Sequence, residues 1–178
     1  MIKGKQKGKA EDLYPSISMT SEMLDLARER ANKIPENIKN SILKGKGRLC
    51  GAVGEQAFIK LSGGTSSSGR GLYNFDVVLP SGSLCEVKTK ERTVVPLPHY
   101  ACSVANFNIT QECDYYVFAS TLPEYNKVWI LGYLSKEDFK EKAIFRKAGE
   151  YDHENGQTCT ADCWNVRISQ LNNIKELL

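Results

Sequence analysis

Asp76, Glu86 and Lys88 are the most reactive grouping in this chain, and all three fall in the stretch YNFDVVLPSGSLCEVKTK from Tyr73 to Lys90. Asp76 interrupts one apolar strand pattern, and Glu86-Val87-Lys88 interrupts the next. Acidic groups among hydrophobic strand residues are costly unless something compensates them. Two carboxylates side by side, with a lysine next door, can be compensated by a bound divalent cation. Such a cation can lower the pKa of a water and neutralise charge on a phosphoryl group.

Leu79-Pro80-Ser81-Gly82-Ser83 has the composition of a three-residue hairpin loop. Pro80 presets the first turn position, and Gly82 can take the left-handed conformation that closes it. With Leu79 facing Ser83, counting sets Asp76 opposite Glu86, Val78 opposite Leu84 and Asn74 opposite Lys88. All six then share one face, because side chains alternate along a strand. Directly opposed Cβ atoms lie about 4.5–5.5 Å apart, where like charges repel. Mg2+ or Mn2+ between Asp76 and Glu86 would reverse the sign of that interaction. Lys88, on the same face, would orient a water or offset charge in a transition state. Tyr73, Phe75, Val77, Leu79, Cys85 and Val87 form the opposite face, directed to the core.

The preceding helix is expected over Gly51 to Leu61, GAVGEQAFIKL. Ala52, Glu55, Phe58 and Ile59 share a face by i, i+3, i+4 spacing, so Glu55 stands where an apolar residue belongs. Taken alone, Glu55 reads as a helix-edge carboxylate that meets solvent or a lysine. Aimed at the same sheet as Asp76 and Glu86, it becomes a third acid. That favours a site over a surface hairpin whose outer face carries only exposed ion pairs. Between helix and hairpin, SGGTSSSGRG (Ser62 to Gly71) reads as a flexible loop bearing Arg70.

A helix with Gly-x-x-Gly-Glu (Gly51 to Glu55), a strand with Asp76, and a strand with Glu86-Val87-Lys88 come in the order that resembles the PD-(D/E)XK nuclease superfamily. The resemblance covers Gly51 to Thr89, and the remainder only by strand order. It implies an α/β, restriction-endonuclease-like fold, a mixed central β-sheet flanked by α-helices. It also implies Mg2+-dependent hydrolysis of DNA phosphodiester bonds, as in restriction enzymes, Holliday-junction resolvases and phage exonucleases. On the matching positions, Asp76, Glu86 and the Val87 carbonyl would hold the metal, with Mn2+ as substitute. Lys88 would be the catalytic lysine, and Glu55 the helix acid that binds metal directly or through water. Asn74-Phe75 stand where the family's nominal proline would precede Asp76. Gln111 is a candidate for the glutamine that some exonuclease-like members carry on a later helix. Arg70, Lys90 and Arg92 are candidates to hold the DNA backbone, which would make binding salt-dependent. Resolvases and many restriction enzymes act as twofold dimers, so a homodimer is compatible. The alternative is a non-catalytic DNA- or protein-binding module that keeps the nuclease fold.

The rest of the chain supplies the frame. Its 178 residues, 41% hydrophobic and 25% charged, suit one soluble domain with a real core. Residues 1–17, with Lys3, Lys5, Lys7 and Lys9, read as a basic flexible tail, either solvated or a nucleic-acid-binding arm. Residues 18–178 read as a single nuclease-like domain. No stretch has the length of a membrane span or the apolar core of a signal peptide, so a cytoplasmic protein with no membrane partner is expected. Its six cysteines would then stay reduced. Cys159-x3-Cys163 with His153 supplies too few ligands for a tetrahedral zinc site, so structural zinc is not expected. Helices are predicted over Ser21 to Lys33, Glu36 to Leu43 and from Ser135 to about Ala143. Lys44 to Arg48 reads as a basic, glycine-punctuated link. Strands are predicted over His99 to Phe107, Tyr115 to Ser120, Lys127 to Leu134 and Trp164 to Leu171, with Thr110 capping one helical turn and Gly149 to Thr160 as loop.

Overall fold

The structure, a computed structural model, describes residues 13–33, 47–67, 74–152 and 157–178. In chain order its elements are β1 (Ser16–Ser18), α1 (Ser21–Lys33), α2 (Arg48–Ser62), β2 (Thr65–Ser66), β3 (Val77–Val78), β4 (Leu84–Glu91), β5 (Ala101–Ala105), β6 (Tyr115–Thr121), β7 (Lys127–Ser135), α3 (Lys136–Lys142), β8 (Ile144–Arg146), β9 (Tyr151–Asp152), β10 (Gln157–Thr158) and β11 (Cys163–Arg167). The fold is mixed α/β. One six-stranded sheet runs β1-β7-β6-β4-β3-β2, parallel between β4 and β6 and antiparallel elsewhere. A smaller antiparallel sheet runs β5-β11-β8, and β9 pairs with β10.

Local chemistry accounts for the element ends. Ser135 caps α3, its hydroxyl accepting from the Asp138 N–H at 3.0 Å. Gly63 closes α2 in the left-handed conformation at φ 67°, donating to the Ile59 carbonyl at 3.0 Å. The β3–β4 turn closes as its residues require. Gly82 donates to the Leu79 carbonyl at 2.8 Å with φ 89°, and Leu79 donates to the Ser83 carbonyl at 2.9 Å.

The sheet divides the protein into two cores. Cys85 and Val87 of β4, with Val117 and Ala119 of β6, pack under α1 and α2 against Ala27, Ala52, Val53 and Phe58. Tyr116 and Phe118 point the other way, toward Phe139 of α3 and the small sheet's Val104 and Val166. Central β6 is therefore buried on both faces, which is why it reads as an unbroken apolar and aromatic run. Each large side chain enclosed this way stabilises by about 1.5–3 kcal/mol.

Helix α2 lies on β4 with no space to spare. A Cβ at Gly54 would stand 1.8 Å from Thr89 Oγ1, so only glycine lets the helix approach and carry its neighbour Glu55 to the sheet. Gly54→Ala should cost about 1–3 kcal/mol, or about 2–10 °C of melting temperature. Thr89→Ala in the same chain should return part of the loss, measured by thermal melts of both variants as a double-mutant cycle.

Several expectations change. Ser16 and Ile17, assigned to the tail, pair with Trp129 and Val128 in the sheet edge, because Ile17 finds the α-helical core. α2 begins at Arg48 rather than Gly51. The Ser62 to Gly71 loop contains β2, and the predicted loop Gly149 to Thr160 contains β9 and β10. The single helical turn falls at Asn106–Asn108, not after Thr110. The last predicted strand stops at Arg167 and turns into a 3-10 segment. The predicted helix Glu36 to Leu43, the alternating lysines and all but Gly47 and Arg48 of the basic link lie outside the described residues. Among those residues no helix is long and apolar enough to cross a membrane.

Candidate active site

Asp76 is presented by an irregularity in the sheet. Val77 pairs with Cys85 and Val78 with Leu84, in the register that counting through the turn predicts. The next step breaks: the Asp76 N–H also reaches the Cys85 carbonyl, at 2.9 Å. Two residues thus oppose one, the arrangement of a β-bulge, which re-aims a side chain and terminates pairing. The Val87 N–H, left without a ladder carbonyl, donates instead to Asp76 Oδ2 at 2.9 Å. The carboxylate therefore occupies the sheet's hydrogen-bonding edge. This corrects the expected face-to-face pairing of Asp76 with Glu86, and Asn74 is not opposite Lys88. Its amide donates to Glu112 at 3.3 Å. A residue's N–H and C=O leave a strand on the same side, so the Val87 carbonyl also faces the Asp76 gap.

The other two acids approach from either side of that edge. Glu86 and Lys88 leave β4 on the face opposite its Cys85 and Val87, joined by a 2.7 Å ion pair. Gln111 locks the pair, its amide nitrogen donating to Glu86 at 2.8 Å and its amide oxygen accepting from Lys88 at 3.1 Å. The loop bearing Gln111 is pinned in turn: Lys136 Nζ donates to the Gln111 carbonyl, and the Asp114 N–H donates to Leu84 at 2.8 Å. From the α2 face comes Glu55, only 6% exposed rather than solvent-facing. Its partner is Arg30 of α1, whose Nε lies 2.5 Å from Glu55 Oε2 and whose Nη2 lies 3.8 Å from Asp76 Oδ1. Arg30 Nη2 also reaches Ser67 at 3.5 Å.

Three buried carboxyls therefore face two cations, Arg30 and Lys88. Burial pushes the Asp76 carboxyl well above its ordinary 3.8, and the neighbouring Glu55 and Glu86 push it further. Burial also raises Glu55, which Arg30 only partly offsets. The cluster is short of positive charge as it stands. Its donors, carboxylate and carbonyl oxygens, are of the hard kind that suits Mg2+ or Mn2+. Among the described residues no three His, Cys, Asp or Glu side chains converge as a ready-made metal cage. Glu55 is turned to Arg30, and Glu86 to Lys88 and Gln111. Mg2+ commonly takes only one or two protein carboxylates and keeps several waters, so the donor set fits such an ion.

Arg30 is not among the residues expected from sequence, although its spacing carries a signal. Ala27 and Ala31 of α1 are buried, and position 30 lies on the same flank by i, i+3 spacing. Gln111 stands in the irregular segment between the Asn106–Asn108 turn and β6 rather than on a helix, and only the fold delivers it to Lys88.

The expected backbone-holding residues are differently placed. Arg70 lies outside the described residues. Arg92 is tied to the Ala101 carbonyl at 2.8 Å and sits 5.0 Å from the centre of the Tyr100 ring. Lys90 is half-buried, so burial and nearby Arg92 lower its pKa. His153 lies outside the described residues. Cys163 is buried and its thiol is pushed up to about 11 by burial and by nearby Cys159. Compared with known proteins, the chain matches no protein-family model and none of the curated proteins.

Proposed function

We propose that this chain is a Mg2+-dependent DNA nuclease of restriction-endonuclease-like fold, hydrolysing phosphodiester bonds as an endonuclease of junction-resolving or restriction-like type. One observation carries the reading: a β-bulge sets the buried Asp76 carboxylate on the sheet edge between Glu55 and the Glu86–Lys88 pair. Strands β3, β4, β6 and β7 add a mixed four-stranded centre with α1 and α2 on one face, the architecture the resemblance implies.

Asp76, Glu86 and the Val87 carbonyl would hold the metal, with Glu55 joining directly or through water. A bound divalent cation supplies a water of lowered pKa and a charge beside a phosphoryl oxygen. Lys88, fixed by Glu86 and Gln111, orients the attacking water and keeps positive charge next to the phosphate as negative charge grows there. The Val87 N–H holds Asp76 in its rotamer. Arg30, 2.5 Å from Glu55 and 3.8 Å from Asp76, offsets part of the repulsion between the two carboxylates. In-line attack then leaves a 5′-phosphate and a 3′-hydroxyl, as in the family it resembles.

The test is a cleavage panel of linear duplex, nicked circle, single strand, flap and four-way junction, each with Mg2+ and with Mn2+. Cutting of at least one substrate, lost in EDTA, is expected; every substrate intact with both metals would sink the proposal. A second reading draws on the paired state of the network. Glu55 already has Arg30, and Glu86 already has Lys88 and Gln111, as a non-catalytic DNA-binding module would require. Such a module would bind DNA unchanged after Lys88→Ala and would cut none.

Arg30 gives a further handle on the metal. Arg30→Met leaves Glu55 and Asp76 without their cation and should cost roughly 3 kcal/mol in EDTA. Millimolar Mn2+ should then raise the variant's melting temperature by more than the wild type's. Equal shifts in scanning calorimetry would separate Arg30 from any metal site.

A further inference from the structure

A cavity of about 350 Å3 lies on the small sheet, away from the three carboxylates, and is lined among others by Arg146, Asp152, Asn165, Arg167, Ser169 and Gln170. Its floor is one face of that sheet. Asn165 pairs with Ile144 and Ser103 across the strands, Arg146 with Cys163, and Arg167 with Ala101. The two arginines thus enter from opposite ends of β11 with a polar centre between them. Among the described residues, Asp152 is the one carboxylate in the wall. It accepts from the Asn165 amide at 3.2 Å and is among the charges acting on Lys90. Arg146 Nε is buried without a hydrogen-bond partner. Glu150 meets Arg146 at 3.4 Å, in a partly exposed pair of the kind that is worth little.

Strand β4 links the candidate active site to the cavity wall. Lys88, Lys90 and Arg92 follow Glu86 at two-residue steps, about 7 Å apart on one face. Arg92 ends the series with its guanidinium on the Ala101 carbonyl, and Ala101 is part of the cavity wall. A row of cations therefore leads from the carboxylates to a pocket holding two more. Guanidinium forks with amide and hydroxyl groups around them are the donors that bind phosphate oxygens.

We propose that the Arg146–Arg167 cavity is an anchoring subsite for a backbone phosphate of the DNA strand whose scissile phosphate lies at Lys88, and this rests on the nuclease reading above. The subsite fixes the strand's register at a distance from the reacting atoms. Arg146 and Arg167 are positioning residues.

DNA binding is measured in EDTA, where no cleavage occurs, by fluorescence anisotropy with labelled duplex and single strand over a range of salt. Arg167→Glu, on an exposed side chain, and Arg146→Gln are compared with Lys175→Glu, an exposed charge reversal outside the cavity. Thermal melts check that each variant folds. Arg167→Glu should weaken binding about tenfold and make the slope of log affinity against log salt shallower by about 1–2. Lys175→Glu should change affinity less than about threefold. In turnover, the Arg146→Gln loss should fall on KM more than on kcat. Wild-type affinity in both arginine variants, or an equal loss in Lys175→Glu, overturns the subsite. Suppose inorganic phosphate or a mononucleotide raises the wild-type melting temperature, lost in Arg167→Glu, while DNA affinity stays the same. The cavity then serves a free phosphate and the strand anchor is wrong. Wild type that neither binds nor cuts DNA overturns the nuclease reading itself, whereas normal cutting with indifferent arginine variants overturns only the subsite.

Discussion

Asp76→Asn should lower DNA cleavage by at least about 10²–10³-fold, while raising the melting temperature measured in EDTA at neutral pH by about 3–6 °C. The two effects have one cause. Asparagine keeps an oxygen for the Val87 N–H that Asp76 now accepts at 2.9 Å, so the bulge survives. It also removes a buried charge that Glu55 and Glu86 repel. The sign follows from linkage. A carboxyl raised in the folded protein stays protonated where the unfolded chain has already released its proton, so stability falls as pH rises above the ordinary 3.8 toward the folded value. The penalty is complete once pH exceeds the folded pKa. Glu55 is raised as well and contributes in the same direction. Melts at several pH values in EDTA should therefore show the variant's advantage growing from acid toward neutral pH, on a flatter profile than the wild type's. An asparagine variant less stable than wild type at neutral pH would mean that Asp76 holds the fold together instead of burdening it.

Lys88→Met should reduce single-turnover cleavage by about 10²–10³-fold with Mg2+, with DNA affinity in EDTA changed by less than about threefold. Lys88 is held on Glu86 at 2.7 Å and on Gln111 at 3.1 Å. Its ammonium therefore has one place to act, and one lost cation among several changes binding little. Lys88→Arg should recover little, because a planar fork cannot occupy the site of a compact ammonium clamped by two neighbours. A methionine variant that cuts within about fivefold of wild type would remove Lys88 from the chemistry and leave the Glu86 pair a packing feature.

How much of this was legible beforehand depends on how local the physics is. The β3–β4 turn was readable from Pro80 and Gly82, since φ preferences act within four residues, and the Val78–Leu84 pairing followed by counting. Helix α1, Ser21–Lys33, was readable from its own pattern, as were strands β6 and β7 from their aromatic and β-branched runs. The small sheet was poorly bounded, because β5, β11 and β8 are held by distant partners rather than by strong local preference.

Residue types and short-range spacing suffice for the chemical inventory, a helix glutamate, a strand aspartate and a Glu-Val-Lys run joined by a defined turn, because neither needs a tertiary partner. Their arrangement comes from long-range packing. The bulge at Asp76 exists because Val87 offers an N–H for its carboxylate to take, and that exchange involves residues eleven positions apart. Burial beneath α1 brought Arg30 to Glu55, and the pinned loop before β6 brought Gln111 to Lys88. Charge placed in a low-dielectric interior depends on everything packed around it, and that information is not carried by any short stretch of chain.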